Sequence, residues 1–144
     1  MAVIGGGPSG AAAARSLASW GHDVRLAARD DEGVQWLPGC LPGVVPVQVD
    51  WECPRDEFRV ADADGTMTLR ASGFARPIPG VDPRRNLHGV SFAVAHITGF
   101  LARAMSIGST TSVDDALQRM RRFAELQRPD TGCEFGVASA SSDF

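Results

Sequence analysis

Near its start the chain carries Val3-Ile4-Gly5-Gly6-Gly7-Pro8-Ser9-Gly10, a GxGxxG pattern between a short apolar run and an alanine-rich segment. In this pattern the first glycine makes a tight turn, the second lets the backbone approach a ligand, and the third lets helix and strand pack closely. The first free N–H groups of the helix face the same space and favour an anion such as phosphate. The stretch therefore predicts a dinucleotide pyrophosphate site, whose binding residues are Gly5, Gly6, Gly7, Pro8, Ser9 and Gly10.

The residues on both sides of the glycines supply the strand and the helix that this site requires. Met1-Ala2-Val3-Ile4 is long enough for a short buried strand, and residues 11–20 are typical of a helix that ends at Gly21. A second strand is predicted over residues 23–28, which completes a βαβ unit. The alternative is a glycine turn that joins a strand to a helix without binding a ligand.

The acceptor for a ribose hydroxyl is expected about 20 residues after the glycines, at the end of the second strand. This position falls at Ala28, whose side chain has no acceptor atom. Arg29 beside a small residue suits the 2′-phosphate of NADP, whereas Asp30 reaches a ribose if the strand ends late. A solvated, charged turn is the third interpretation. We take Ala28 and Arg29 as candidate cofactor-binding residues and leave FAD and NAD(P) open.

A second motif lies at Leu69-Arg70-Ala71-Ser72-Gly73, which is followed by Pro77-Ile78-Pro79-Gly80. Together with residues 3–28 it resembles the FAD-binding start of flavoprotein oxidoreductases with two dinucleotide-binding domains, among them the small subunit of glutamate synthase. That family has a strand ending in "ATG", which Ala71-Ser72-Gly73 matches except for serine in place of threonine, and then a Pro-x-x-Pro-Gly turn. Residues 81–90 are similar to the continuation of this family motif.

The resemblance implies an α/β fold, namely a Rossmann-like FAD/NAD(P)-binding domain with a parallel sheet, a β-hairpin (meander) insertion and C-terminal helices. It implies that Ser72 and Gly73 lie beside the diphosphate and ADP part of FAD. The implied function is that of an FAD-dependent oxidoreductase, or its FAD-binding portion, which exchanges hydride with NAD(P)H. FAD is therefore the expected cofactor, with NAD(P) as the alternative.

Two features of this family have no counterpart in the sequence, which contains neither a second GxGxxG for the nicotinamide cofactor nor a late Gly-Asp motif for the ribityl chain of FAD. We therefore expect an abbreviated relative or a piece of a larger enzyme. The alternatives are a non-catalytic FAD- or NAD(P)-binding module, whose partner subunit supplies the nicotinamide domain, and a truncated relative without activity. Catalytic residues stay unassigned, because neither His88 nor His96 has a recognisable partner in the sequence.

We expect residues 1–144 to form a single abbreviated domain. Its parts are the βαβ unit over 1–37, a connection with a hairpin and the Ala-Ser-Gly strand end over 38–80, and a helical part over 81–144. Residues 44–51 alternate as in a strand, which Pro46 would confine to an edge or place in its first turn. Asp64-Gly65 predicts a hairpin, and helices are predicted over 93–106 and from an N-cap within 109–112 to a point before Pro129.

Composition excludes several classes of function. With 44% apolar and 22% charged residues and a formal net charge of -3, the chain is typical of a soluble globular protein without general affinity for nucleic acid. No apolar run suits a membrane span or a signal peptide, so we expect no membrane partner and a cytoplasmic location. Cys40, Cys53 and Cys133 form no pair with a redox or zinc-binding spacing, and no metal site is expected.

Four arginines in and after the last predicted helix suggest either a docking patch or a solvated helix face: Arg119, Arg121, Arg122 and Arg128.

Overall fold

A computed structural model describes residues 2–5, 8–29, 41–63, 65–107 and 112–127 of the chain. The elements are β1 (Ala2–Gly5), α1 (Pro8–Ser19), β2 (Val24–Arg29), β3 (Val45–Val49), β4 (Phe58–Ala63), β5 (Thr66–Ala71), a 3-10 turn (Pro83–Arg85), α2 (Val90–Ser106) and α3 (Val113–Gln127). The strands form one five-stranded sheet in the order β1-β2-β3-β5-β4. Neighbouring strands are parallel up to β5, and β4 pairs antiparallel with it. The prediction of an α/β fold is confirmed.

The predicted hairpin forms around Asp64-Gly65. β4 and β5 pair up to Ala63 and Thr66, which leaves a two-residue turn, and Gly65 has the positive φ of 77° that such a turn needs. The hairpin differs from the expected insertion in one respect. It continues the main sheet, because β5 also pairs with β3 and places the buried Leu69 beside Val47.

Pro46 is the second residue of β3, and this strand lies inside the sheet between β2 and β5. Of the two predicted places for a strand with this proline, the edge of the sheet is therefore wrong and the start of the strand is right. The physical reason is that β3 pairs with β5 only from Val47 onward, so no β5 residue is paired with the proline that lacks an N–H.

The hydrophobic core lies between one face of the sheet and the helices α2 and α3. Because alternate residues of a strand face opposite sides, Val45 and Val47 face these helices, and Gln48 faces away from them. The core residues are Ala27, Val45, Val47, Phe58, Leu69, Ala71, Ala93, Val94, Ile97, Leu101, Val113, Ala116 and Met120. Helix α1 contacts β1 and β2, and none of its described side chains belongs to this core.

Both predicted C-terminal helices are present. α2 begins at Val90, three residues before the predicted start, and α3 begins after Ser112, whose hydroxyl accepts a hydrogen bond from the Asp114 N–H at 3.2 Å. This contact confirms a cap within the predicted stretch. Of the described helices, none has the length and apolar character that crossing a bilayer requires.

Two of the three arginines that the structure describes in α3 bind groups of their own chain, and the third, Arg122, is exposed. Arg121 pairs with Asp62 of β4 at 2.8 Å and with Glu125 at 3.7 Å. Arg119 donates a hydrogen bond to the carbonyl of Ile107. These contacts favour a helix face engaged with its own fold over a free anion-binding patch, while Arg128 lies outside the described residues.

Candidate functional site

The predicted pyrophosphate site begins where β1 meets α1. β1 ends at Gly5 and α1 begins at Pro8, a residue well suited to the first helical position. Ser9 and Gly10 belong to the first turn of α1, so their amides lie in the part of a helix that attracts anions. Gly6 and Gly7 lie outside the described residues. The strand and the helix on either side of them come in the predicted order and at the predicted separation.

Ala28 and Arg29 are the last two residues of β2, which pairs in parallel with β1. Carboxyl ends of parallel strands meet at the same edge of a sheet, and neighbouring strands lie about 4.8 Å apart. The end of β2 therefore lies next to the end of β1, where a ribose acceptor is expected. The structure thus brings together the ends of β1 and β2 and the start of α1, as the sequence predicted.

Ser72 and Gly73 follow β5 at this same edge, but β2 and β3 separate β5 from β1. Three strand spacings amount to about 14 Å. Ser72 is only 1% exposed; its hydroxyl accepts a hydrogen bond from the Phe74 N–H at 3.4 Å. The carbonyl of Gly73 accepts a hydrogen bond from the Gly89 N–H, just before α2, at 2.7 Å. These two residues have a packing role, and their contact with a cofactor stays a prediction.

Gly73 also allows a close approach of Trp51. A Cβ atom at Gly73 would lie 2.6 Å from Trp51 Cζ3 and 2.9 Å from Val49 Cγ1, distances that atoms of this kind do not adopt. Glycine is therefore required here for packing, whatever else it contacts.

Three aromatic rings gather at the carboxyl edge, from Trp51 after β3, Phe74 after β5 and His88 before α2. The ring centroid of Trp51 lies 5.2 Å from that of Phe74 and 5.9 Å from that of His88, both in edge-on arrangements. Trp51 remains 47% exposed, so part of its ring is free to stack on a ligand. This aromatic cluster was not predicted from the sequence. The available signal was the position of Trp51 at the end of the alternating run over residues 44–51.

Cys53 and Ser72 line a small cavity of about 200 Å³ between the β3 and β5 ends of this edge. Cys53 is 3% exposed, and its thiol donates a hydrogen bond to the Glu57 carbonyl at 3.5 Å. Burial, and then the charge of Asp50, raise the pKa of Cys53. The thiol is therefore protonated at neutral pH, which does not suit a nucleophile.

Both histidines near the edge hydrogen-bond to backbone carbonyls. The Nδ1 atom of His88 lies 2.9 Å from the carbonyl of Asn86, and that of His96 lies 3.0 Å from the carbonyl of Ser72. Since a carbonyl only accepts, Nδ1 donates in each case. Burial lowers the pKa of His96, the bond to Ser72 opposes this, and Arg55 lowers it further. These contacts indicate structural histidines, and catalytic residues stay unassigned.

Comparisons of the chain with models of protein families, with curated proteins and with solved structures found no match. The resemblance to flavoprotein oxidoreductases therefore stays a prediction that rests on residues 3–28 and 69–90.

Proposed function

We propose that this chain is a Rossmann-like, FAD-binding portion of an FAD-dependent oxidoreductase that exchanges hydride with NAD(P)H. One observation carries the proposal: β1 ends at Gly5, α1 begins at Pro8, and β2 pairs in parallel with β1. This is the arrangement in which a glycine turn and helix amides bind a diphosphate.

The order of the strands sets a path for the rest of the cofactor. The carboxyl end of β2, with Ala28 and Arg29, lies next to the diphosphate at the start of α1, and the carboxyl end of β3 follows it along the same edge of the sheet. The ribose would lie at the end of β2. The adenine would lie at the end of β3 and stack on the half-exposed ring of Trp51. FAD would supply the two-electron chemistry, and this chain would bind and orient it.

The sheet topology supports the proposal that this chain is the FAD-binding portion of an enzyme rather than a whole enzyme. In the six-stranded dinucleotide-binding fold, the first strand lies between the second and a further strand, and the ligand occupies the crevice between them. Among the described strands, β1 is at the end of the sheet, while α2 packs across β1, β2, β3 and β5. The flavin end of the site would thus depend on residues beyond those described, in this chain or in a partner subunit.

A non-catalytic module that binds FAD or NAD(P) is the second candidate. The state of the titratable side chains favours it, since the Cys53 thiol is buried and both His88 and His96 bind backbone carbonyls. Ala28 next to Arg29 would suit the 2′-phosphate of NADP in such a module.

Spectroscopy of the purified protein separates the two candidates. We expect flavin absorbance after incubation with FAD and removal of the excess, and stabilisation of about 2.7 kcal/mol when free FAD is at a hundred times its Kd. Anaerobic NADPH should then bleach the flavin bands if the chain is an oxidoreductase. Retained FAD without bleaching would favour the non-catalytic module. If neither FAD nor NADP changes the melting temperature, the proposed function is wrong.

A further inference from the structure

A groove of about 440 Å³ opens between α2, α3 and the start of β4. Its floor is aromatic, because the ring centroid of Phe58 lies 5.1 Å from that of Phe100 and 6.1 Å from that of Phe123. Two apolar side chains of the groove are mostly exposed, Phe123 at 52% and Ile107 at 61%. Exposed apolar surface of this kind marks interaction sites in soluble proteins.

Charged residues of both signs line the groove. Asp56 and Glu57 precede β4 on one side, while Arg103 in the last turn of α2 and Arg119 on α3 lie on the helical side. The bond from Arg119 to the carbonyl of Ile107 holds its guanidinium near the end of α2. Within the described part of the chain, no ion pair links these carboxylates to these arginines. In a single copy these groups are open to solvent, apart from the Arg119 N–H that binds Ile107, so they are available to pair with charges of a second copy.

We propose that this groove is the contact surface between two copies of the chain related by a two-fold axis. In such a contact the same surface faces itself, so one set of residues on each copy meets a different set on the other. The carboxylates lie on one side of the surface and the arginines on the other. A two-fold rotation therefore places the carboxylates of one copy opposite the arginines of the other, so the charges of the two copies are complementary. Asp56 and Glu57 of one copy face Arg103 and Arg119 of its partner at both ends, and the apolar side chains meet in the middle.

The charge of the groove and the exposure of its apolar residues favour this occupant over a small ligand. Two carboxylates and two guanidinium groups cancel, so the groove has no net attraction for an anion or a cation. Phe123 and Ile107 line the groove but remain more than half exposed, and Leu126, one helical turn after Phe123, extends the apolar surface with an exposure of 85%. A protein surface covers such residues, whereas a small molecule leaves them in water.

Charge reversal tests the contact through the oligomeric state. The acidic variant is Arg103→Glu/Arg119→Glu, and the basic variant is Asp56→Arg/Glu57→Arg. We expect wild type to dimerise in sedimentation velocity across a dilution series. Each variant should self-associate at least about tenfold more weakly, because like charges then oppose each other at both ends. An equimolar mixture of the two variants should restore the dimer.

Two further variants keep the test decisive. Arg84→Glu/Arg85→Glu changes two exposed arginines of the 3-10 turn, outside the groove, and should dimerise like wild type. If loss of the Arg119 bond unfolds the acidic variant, the exposed Phe123→Ser serves in its place and should also weaken the dimer. A wild type that is monomeric throughout the series, or variants that dimerise as tightly as wild type, would overturn the proposal and leave the groove to a segment of the same chain or to a small ligand.

Discussion

Gly73 is the residue whose two interpretations differ most. Its place in an Ala-Ser-Gly strand end suggested cofactor binding, whereas the structure shows that the Trp51 ring occupies the space where a side chain would begin. Gly73 therefore positions Trp51, and Trp51 in turn positions the aromatic cluster at the carboxyl edge of the sheet. A packing requirement of this kind is invisible in the sequence, because it depends on a contact between residues 51 and 73.

Gly73→Ala should destabilise the fold by about 1–3 kcal/mol, the usual cost of overpacking a site that cannot expand. Urea denaturation measures this free energy. Gly99→Ala is the matched control, since Gly99 lies within α2 with open space at its Cβ position, and the same change should stabilise by about 0.5–1 kcal/mol. Equal stability of Gly73→Ala and wild type would refute the packing role.

Trp51 is predicted to contribute to adenine binding if the proposed path of the cofactor is right. Trp51→Leu should weaken ADP binding by about 1–3 kcal/mol, the range found for stacking of a base on an aromatic side chain. Trp20→Leu, a change of the exposed residue directly after α1, should have no effect. Fluorescence titration with ADP measures both. An unchanged affinity of Trp51→Leu for ADP would show that the adenine does not stack on this ring, but it would not contradict the diphosphate site.

His96 makes stability depend on pH. Its pKa in the folded state lies below the ordinary 6.5, with burial as the main cause, so the unfolded chain binds more protons than the folded chain as the pH falls through this range. Stability should therefore be complete above 6.5 and decline below it. His96→Gln should show a shallower decline in thermal melts between about pH 7 and pH 5. Parallel curves for the two proteins would contradict this role.

At the scale of elements, local patterns predicted a good part of the structure. The glycines around residues 5–10, the turn at Asp64-Gly65 and the apolar spacing of α3 each depend on neighbours in the sequence, and each element is present. The place of β3 in the sheet could not be predicted in this way. Pro46 argued for an edge, but its effect depends on where β5 begins to pair, which is a long-range property.

The Ser112 cap offers a test of one such element. Ser112→Ala should destabilise the protein by about 1 kcal/mol, because the Asp114 N–H loses its acceptor at the start of α3. Ser91→Ala, at an exposed position in the first turn of α2, should change stability little. Urea denaturation followed by circular dichroism measures both. A Ser112→Ala protein as stable as wild type would show that the cap contributes nothing.

At the scale of the whole molecule, the parallel strands gather short motifs at one edge, and this explains which parts of the site could be predicted. The end of β1 at Gly5, the start of α1 at Pro8 and the end of β2 at Arg29 belong to one continuous βαβ unit, so the spacing in the sequence was sufficient to place these three elements. The aromatic cluster joins residues 51, 74 and 88, and the groove joins residues 58, 100 and 123. Only the order of strands and the packing of helices bring these residues together.

Isothermal titration with ADP and with adenosine, on wild type and on Gly7→Val, tests most directly whether the start of α1 binds a diphosphate. We expect wild type to bind ADP at least about tenfold more tightly than adenosine, since the diphosphate meets the free amides of the helix. Gly7→Val should lose this difference because its side chain keeps the diphosphate from the backbone, and Gly99→Ala, checked for the same fold, should retain it. Equal affinities for ADP and adenosine in wild type, or full ADP affinity in Gly7→Val, would contradict the diphosphate site.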